Sequence, residues 1–289
     1  MKTKDKLIAL GPNGSYSSLV ANDIIKPESD IKTSLITIDP EITEAIRQIS
    51  GNAFAASLGN LKVINEIPNN LAGIVPIHNT YGKTVNITPE AIYQLQKNHI
   101  LHSIGWYSLK IEHILAGLQS TNIENITSIH SHPQAISQCI NEGIARLGDD
   151  IKLVNEQSTT THIPDLKIGE AVICNKNAAQ NANLKILDEH FGPKENTTDF
   201  IVLSVNENIE GLQNLTNNKA MIILSLENRA GTLVKGLNLL SEAGVDMNSI
   251  HSQTESPGNT DFIIVSNNYI DWKSISNDLK KQGGKIKIL

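Results

Sequence analysis

The stretch from Ala220 to Leu289 runs through one short pattern twice, and few folds accommodate it. Ala220–Leu226 is a continuous apolar run of strand length. Gly231–Ala243 follows as a helix, with Leu233, Val234, Leu237 and Leu240 at helical spacing. Val245–Thr254 and Phe262–Ser266 read as strands, Asp271–Gln282 as a helix, and Lys285–Leu289 as a closing strand. A βαββαβ order within about 70 residues is a ferredoxin-like unit.

The preceding residues follow a different rule. Lys6–Leu10 is a short apolar run that ends in Gly11-Pro12-Asn13-Gly14, so a buried strand leads into a tight loop and then a helix through Ala21 to Ile25. Leu71–Ile77, Ile100–Ile111, Ile126–His130, Ile151–Val154, Glu170–Cys174 and Asp199–Val205 read as strands. Ile42–Ile49, Pro89–Lys97 and Pro133–Leu147 read as helices, the last with Pro in its first turn, where the missing N–H costs nothing. Strands alternating with helices make an α/β domain. Polar Glu207–Asn218 reads as a linker, giving domains at 1–206 and 219–289, and 289 residues is room for about two.

A formal net charge of −6 offers no basic surface for nucleic acid, and an anionic ligand would need local positive charge. Cys139 and Cys174 belong to no paired spacing, which suits a reducing cytoplasm. Leu7–Leu10 is too short for a signal-peptide core, and no run approaches the roughly 18 apolar residues of a membrane span.

Five strings carry candidate chemistry. Gly11–Ser17 places Gly14 and Ser15 at a helix start, a loop whose N–H groups suit an anion, though it lacks dinucleotide or P-loop spacing. Val75-Pro76-Ile77-His78-Asn79-Thr80 puts polar groups just after a buried strand, with Lys83 beyond. In His130-Ser131-His132-Pro133-Gln134 two histidines at spacing two share a strand face, but a metal site lacks a third ligand at fitting spacing, as does the pair His99 and His102. Ser158-Thr159-Thr160-Thr161 is a run of hydroxyls suited either to a carboxylate or to a solvated turn. Asn196-Thr197-Thr198-Asp199-Phe200 leads into the last strand of the first domain.

Taken in order, these strings resemble those of the prephenate dehydratase family. The Gly-Pro-x-Gly-Ser-Tyr-Ser opening and Ser-His-Pro-Gln-Ala match as they stand. The resemblance implies a two-lobed, periplasmic-binding-protein-like catalytic domain followed by an ACT domain, the small amino-acid-sensing module of βαββαβ order. It implies a cofactor-free lyase that converts prephenate to phenylpyruvate with loss of water and CO2. Thr198, Asn79, Thr80 and His78 take the catalytic positions. Gly14, Ser15, Lys83, Ser131, His132, Gln134, Ser158, Thr159, Asp199 and Phe200 take the substrate-binding ones. Asn228, Gly231, Thr232, Leu233 and Ser252 fall in the ACT ligand strings, and a homodimer or homotetramer is implied.

Two departures stand out. The family's Glu before the Asn is His78, and its Arg after the Thr is Asp199. Arg suits a carboxylate because its planar fork makes two parallel bonds. At ~4 Å and an effective dielectric of ~20 a unit-charge contact is worth about 4 kcal/mol, so a reversed charge facing a dianion is costly. One rearrangement keeps the site cationic: His78 and Lys83 supply the positive charge and Asp199 pairs with one of them. Two other readings stay open, a non-aromatising prephenate decarboxylase and a catalytically inactive ligand-binding relative. In the second ACT string only Ser252 of Glu-Ser-Arg-Pro is kept, which predicts weak phenylalanine feedback.

Overall fold

The structure is a computed structural model that describes residues 6–11, 13–36, 71–81, 89, 92–93, 96, 101–256, 258–270 and 272–289. Lys83, His99 and the expected helix Ile42–Ile49 lie outside the described residues.

The first lobe is built on β1 (Lys6–Leu10), β2 (Lys32–Ile36), β3 (Leu71–Asn79), β4 (His102–Lys110) and β10 (Thr197–Ser204). Their order in the sheet is β2-β1-β3-β10-β4. The first three strands run parallel and β10 runs antiparallel to both its neighbours. Helix α1 (Tyr16–Ile24) begins at Ser15, whose side chain accepts from Ser18 N. It lays Val20, Ala21 and Ile24 on one face of this sheet, against Leu7, Ala9, Phe200 and Val202.

The chain crosses into the second lobe after β4 and returns before β10. That lobe holds β5 (Ile114–Gly117), β6 (Ser128–Ser131), β7 (Lys152–Asn155), β8 (Glu170–Cys174) and β9 (Lys185–Asp188), ordered β7-β6-β8-β5-β9. Helices α2 (Pro133–Cys139) and α3 (Lys176–Asn181) flank it. The helix expected through Leu147 stops at Cys139 and resumes only as a 3-10 turn over Ile144–Arg146. Gly143 explains the break: a Cβ there would lie 2.1 Å from the Phe191 carbonyl oxygen, so the backbone passes where no side chain fits.

The C-terminal unit has β11 (Ala220–Glu227), α4 (Thr232–Glu242), β12 (Met247–Ser256), β13 (Asn259–Ser266), α5 (Trp272–Lys281) and β14 (Lys285–Ile288). Its antiparallel sheet, β12-β13-β11-β14, has the expected βαββαβ connection. Of the apolar residues expected on α4, Leu240 is buried and Leu233 and Leu237 pack on the core, whereas Val234 is 61% exposed.

The C-terminal sheet docks on that of the first lobe. Ile201 and Leu203 of β10 share one core with Met221, Ile223, Ile263 and Val265. Strand β10 is therefore covered on both faces, which is why it reads as an unbroken apolar run. Pro89, Ile92, Tyr93 and Gln96, from the expected helix Pro89–Lys97, are helical. Tyr93 donates to Asp261 at 2.5 Å, tying that helix to the C-terminal sheet. The polar segment after β10 lies along the first lobe, bridging Ile25 to Leu212 and Trp106 to Thr216.

Candidate active site

The floor of the candidate site is the cross-strand pair Asn79 and Thr198, at the end of β3 and the start of β10. Both are buried, and the Asn79 amide donates to Thr198 Oγ1 at 2.8 Å and to Asn196 Oδ1 at 2.7 Å. An amide nitrogen carries two hydrogens, and a hydroxyl that accepts keeps its own hydrogen to donate. Thr198 is thus held as a donor with its O–H directed away from Asn79.

The network continues into the second lobe. Asn79 Oδ1 accepts from Tyr81 N at 3.0 Å and from Gln138 Nε2 of α2 at 2.9 Å. Gln138 Oε1 accepts from Asn196 Nδ2 at 2.8 Å and lies 2.7 Å from His113 Nε2. An amide oxygen only accepts, so His113 carries its proton on Nε2. Burial holds the ring below the usual histidine range, with the Gln138 bond opposing, which keeps it neutral. Its Nδ1 then faces the Tyr16 hydroxyl at 3.1 Å. Burial also pushes the Tyr16 phenol well up, helped by nearby Cys174, Cys139 and Glu112, so it stays protonated.

The two inter-lobe crossings supply part of this chain of bonds. His113 sits on the first and Asn196 on the second, and the crossings are bonded to each other through Ile111 N and Asn196 O at 2.7 Å. Gly14 closes the other side, its carbonyl accepting from Asn175 Nδ2, the cap of α3, at 2.6 Å. The φ of +84° at Gly14 is one a side chain rarely adopts. The site is therefore a seam between lobes, made of amides, hydroxyls and a neutral imidazole.

The two departures lie elsewhere. Asp199 pairs with His78 across the ladder, and successive strand residues face opposite sides. Asp199 thus shares the face of Ile201 and looks toward the C-terminal sheet. Its Oδ2 meets Lys219 Nζ at 2.5 Å, its Oδ1 accepts from Ser108 Oγ at 2.5 Å, and His78 Nδ1 is 3.9 Å away. Desolvation lowers the basicity of His78 and Lys219 adds to this, against the pull of Asp199. The charge reversal expected to confront a substrate is instead neutralised by Lys219 on the far side of the sheet.

The other sequence candidates make the following contacts. Phe200 is a core residue under α1, because it follows Asp199 and so turns back to that face. Thr80 Oγ1 donates to Thr197 O at 3.1 Å. Ser131 Oγ donates to Ile173 O at 2.7 Å and joins β6 to β8. His132 caps α2, its Nδ1 accepting from Gln134 N, so it parts from His130 rather than sharing a strand face with it. Gln134 stands half-buried in the first turn of α2. Ser158 bonds the hydroxyls of Thr160 and Thr161 within its own turn, and Thr159 is half-buried beside it. His102 lies 3.2 Å from Glu207.

Gln138, His113, Asn196, Tyr16, Ser108 and Lys219 were not among the sequence candidates. Asn196 and Tyr16 belong to the matched strings, and Gln138 lies one helical turn beyond Gln134. His113, Ser108 and Lys219 carry no local signal. In the C-terminal unit, Gly231 has φ +86° at the start of α4. Thr232 Oγ1 donates to Glu227 O and Arg229 O, Asn228 N donates to Gly258 O, and Ser252 is exposed on β12.

The profile of the prephenate dehydratase family matches residues 7–208. The prephenate dehydratase of Methanocaldococcus jannaschii is 30% identical over 223 residues, covering 76% of this chain and 77% of its own. The crystal structure of the prephenate dehydratase from Staphylococcus aureus subsp. aureus Mu50 superposes with a TM-score of 0.70 over 98% of both chains at 20% identity. That of the Arthrobacter aurescens enzyme in complex with L-Phe gives 0.66 over 90% of this chain and 80% of that one, at 21% identity. With Asn79, Asn196, Thr198 and Tyr16 of three matched strings brought to one seam between two lobes, the chain belongs to the prephenate dehydratase family.

Proposed function

We propose that this protein is a carbon–oxygen lyase that converts prephenate to phenylpyruvate, with Thr198 assisting departure of the ring hydroxyl. The observation that carries this reading is the Asn79–Thr198 bond of 2.8 Å, in which Thr198 accepts and so keeps its hydrogen for the substrate. The electron pair of the bond to the departing carboxylate enters the ring as CO2 leaves. The carbon–oxygen pair leaves with the hydroxyl, which takes up a proton and becomes water. Aromaticity drives the step, and a hydrogen bond to the leaving oxygen lowers its barrier.

The neutral seam holds no cation among its described members, so the substrate's carboxylates need charge from beside it. We assign this to Lys83, with backbone N–H groups at Gly14 and Ser15 and the hydroxyls of Ser158 and Thr159. His132 and Gln134 complete the contacts in this reading. A cytoplasmic setting is supported by the free, buried thiols of Cys139 and Cys174, and no helix among the described residues is long and apolar enough to cross a membrane. A homo-oligomer assembled through the C-terminal units, responding weakly or not at all to phenylalanine, completes the proposal.

Incubation with prephenate tests it. Phenylpyruvate is an aromatic α-keto acid with its own absorption; a decarboxylase would yield an alicyclic product that keeps its hydroxyl, and an inactive relative would yield nothing. Either of the latter outcomes overturns the proposal. In support, Thr198→Ala is expected to lower kcat by about 10²–10⁴, the usual worth of one positioned proton donor.

A further inference from the structure

In the second lobe two imidazoles and a carboxylate converge. His130 of β6 and His162 stack with ring centroids 3.6 Å apart and planes within 4°. Glu156 Oε1 lies 3.0 Å from His130 Nδ1 and 3.6 Å from His162 Nδ1. Two ligands of a tetrahedral ion at about 2.0–2.1 Å are themselves about 3.4 Å apart, so both separations bracket a ligand edge.

The outer nitrogens are held as well. His162 Nε2 meets Glu170 Oε2 at 3.0 Å, and that oxygen also accepts from Lys167 N at 2.9 Å. His130 Nε2 lies 3.1 Å from Ser128 Oγ. The Glu170 oxygen is placed to accept from an Nε2–H of His162, the tautomer that leaves Nδ1 facing Glu156 Oε1. In this tautomer Nδ1 offers a lone pair toward the Glu156 oxygen, a geometry that a cation between them completes. A carboxylate fixing the far N–H of a liganding imidazole is the usual outer shell of a metal site.

We propose that His130 Nδ1, His162 Nδ1 and Glu156 Oε1 bind a divalent transition-metal ion of the Zn2+ class, with Glu170 and Ser128 orienting the two rings. Two imidazoles and one carboxylate suit such ions better than Mg2+ or Ca2+. Turning one ring out of the stack, so that its Nδ1 swings toward the plane of the other, brings both lone pairs onto the ion. Glu156 and His162 flank the turn of Ser158–Thr161, so the ion fastens the base of that turn to β6.

The test is titration of EDTA-stripped protein with Zn2+ by calorimetry and with Co2+ by visible absorption. One Zn2+ per chain is expected. Glu156→Gln and His162→Ala are each expected to weaken it at least 100-fold, and Glu170→Gln, which touches only the outer shell, by about 10–100-fold. No stoichiometric binding, or triad variants that bind as the parent does, overturns the proposal. So does a thiolate-to-cobalt charge-transfer band, which would put the ion on Cys139 or Cys174. Should a variant fail to fold, X-ray absorption at the zinc edge of the parent decides. Two imidazoles with oxygen ligands support the site, and fewer than two imidazoles refute it.

Discussion

Thr198 and Asp199 are adjacent in sequence and serve opposite faces of one sheet. Thr198 takes the Asn79 amide at 2.8 Å in the seam between lobes, and Asp199 takes Lys219 at 2.5 Å under the C-terminal sheet. Strand alternation alone produces this division. A substitution from Arg to Asp beside the proposed catalytic threonine is therefore compatible with the chemistry, because the residue that answers it is Lys219.

The ion pair is expected to matter more for stability than for turnover. Asp199 is 6% exposed, so removing its cation leaves a buried charge with only Ser108 and His78 beside it among the described residues. Lys219→Met is expected to cost about 3–5 kcal/mol, read as a lower urea midpoint. The double change Asp199→Asn with Lys219→Met is expected to recover most of the loss. Restoring the family's Arg at 199 alone sets two cations face to face and should destabilise at least as much as Lys219→Met. An unchanged midpoint in Lys219→Met would show that the pair carries no structural weight.

On the other face, the order of kinetic effects follows the order of bonds. Thr198→Ser keeps the hydroxyl and is expected to retain most of kcat. Asn79→Ala loses the donor that orients Thr198, together with the acceptor for Gln138. We expect about a 10²-fold fall in kcat, the scale of one lost oriented hydrogen bond. Gln138→Ala, two bonds from Thr198, is expected to act more weakly on kcat. Steady-state rates of phenylpyruvate formation order the three, and a Gln138 effect larger than that of Asn79 would contradict the chain of bonds as drawn.

What the sequence disclosed, and what it withheld, follows from range. Strands such as Glu170–Cys174 and the βαββαβ order show in short apolar runs, because local periodicity records burial. Asn79 and Thr198 were located instead by resemblance to the family's strings, each contiguous in sequence. Lys219 is invisible in this way, since nothing near it reports that it will lie under β10. His113 is likewise a lone histidine until the crossing brings it to Gln138. The elements missed (β2, β5, α3 and β9) span four to six residues each. The helix expected through Leu147 failed because Phe191, about fifty residues on, claims the space beside Gly143.

That last contact gives a sharp test of packing. A Cβ at Gly143 would sit 2.1 Å from a backbone oxygen and 2.7 Å from the Phe191 ring, and neither is the mobile end of a flexible chain. Gly143→Ala is expected to destabilise by about 2–3 kcal/mol, at the upper end of overpacking costs. Gly148→Ala is the control, since nothing lies within 4 Å of its Cβ and only its φ of +92° opposes a side chain. Thermal melts of the two variants should differ clearly, with Gly143→Ala the lower.

The C-terminal unit keeps the left-handed turn at Gly231 but departs from the family at the second ligand string, where His251, Gln253 and Thr254 replace Glu, Arg and Pro. Phenylalanine is expected to inhibit weakly or not at all. Calorimetry that returned micromolar binding would refute this.

Histidine protonation sets the last expectation. Burial lowers the proton affinity of His113 and His132 from the ordinary value of 6.5, and lowers that of His78 against the pull of Asp199. A buried histidine with a lowered value stays neutral in the fold while the unfolded chain takes up its proton. Above about pH 7 both states are neutral and the three cost nothing. As pH falls through 6.5 the unfolded state binds protons first, so stability is lost on the acidic side and is not gained there. The urea midpoint should therefore drop between about pH 7.5 and 5.5. His113→Gln removes one titrating group, so its midpoint should fall less steeply across that window, even if it begins lower for loss of the Gln138 and Tyr16 contacts. A slope equal to the parent's would mean that His113 takes up its proton in the fold as readily as in the unfolded chain, and the seam on which the proposed role of Thr198 rests would gain a charge on the acidic side.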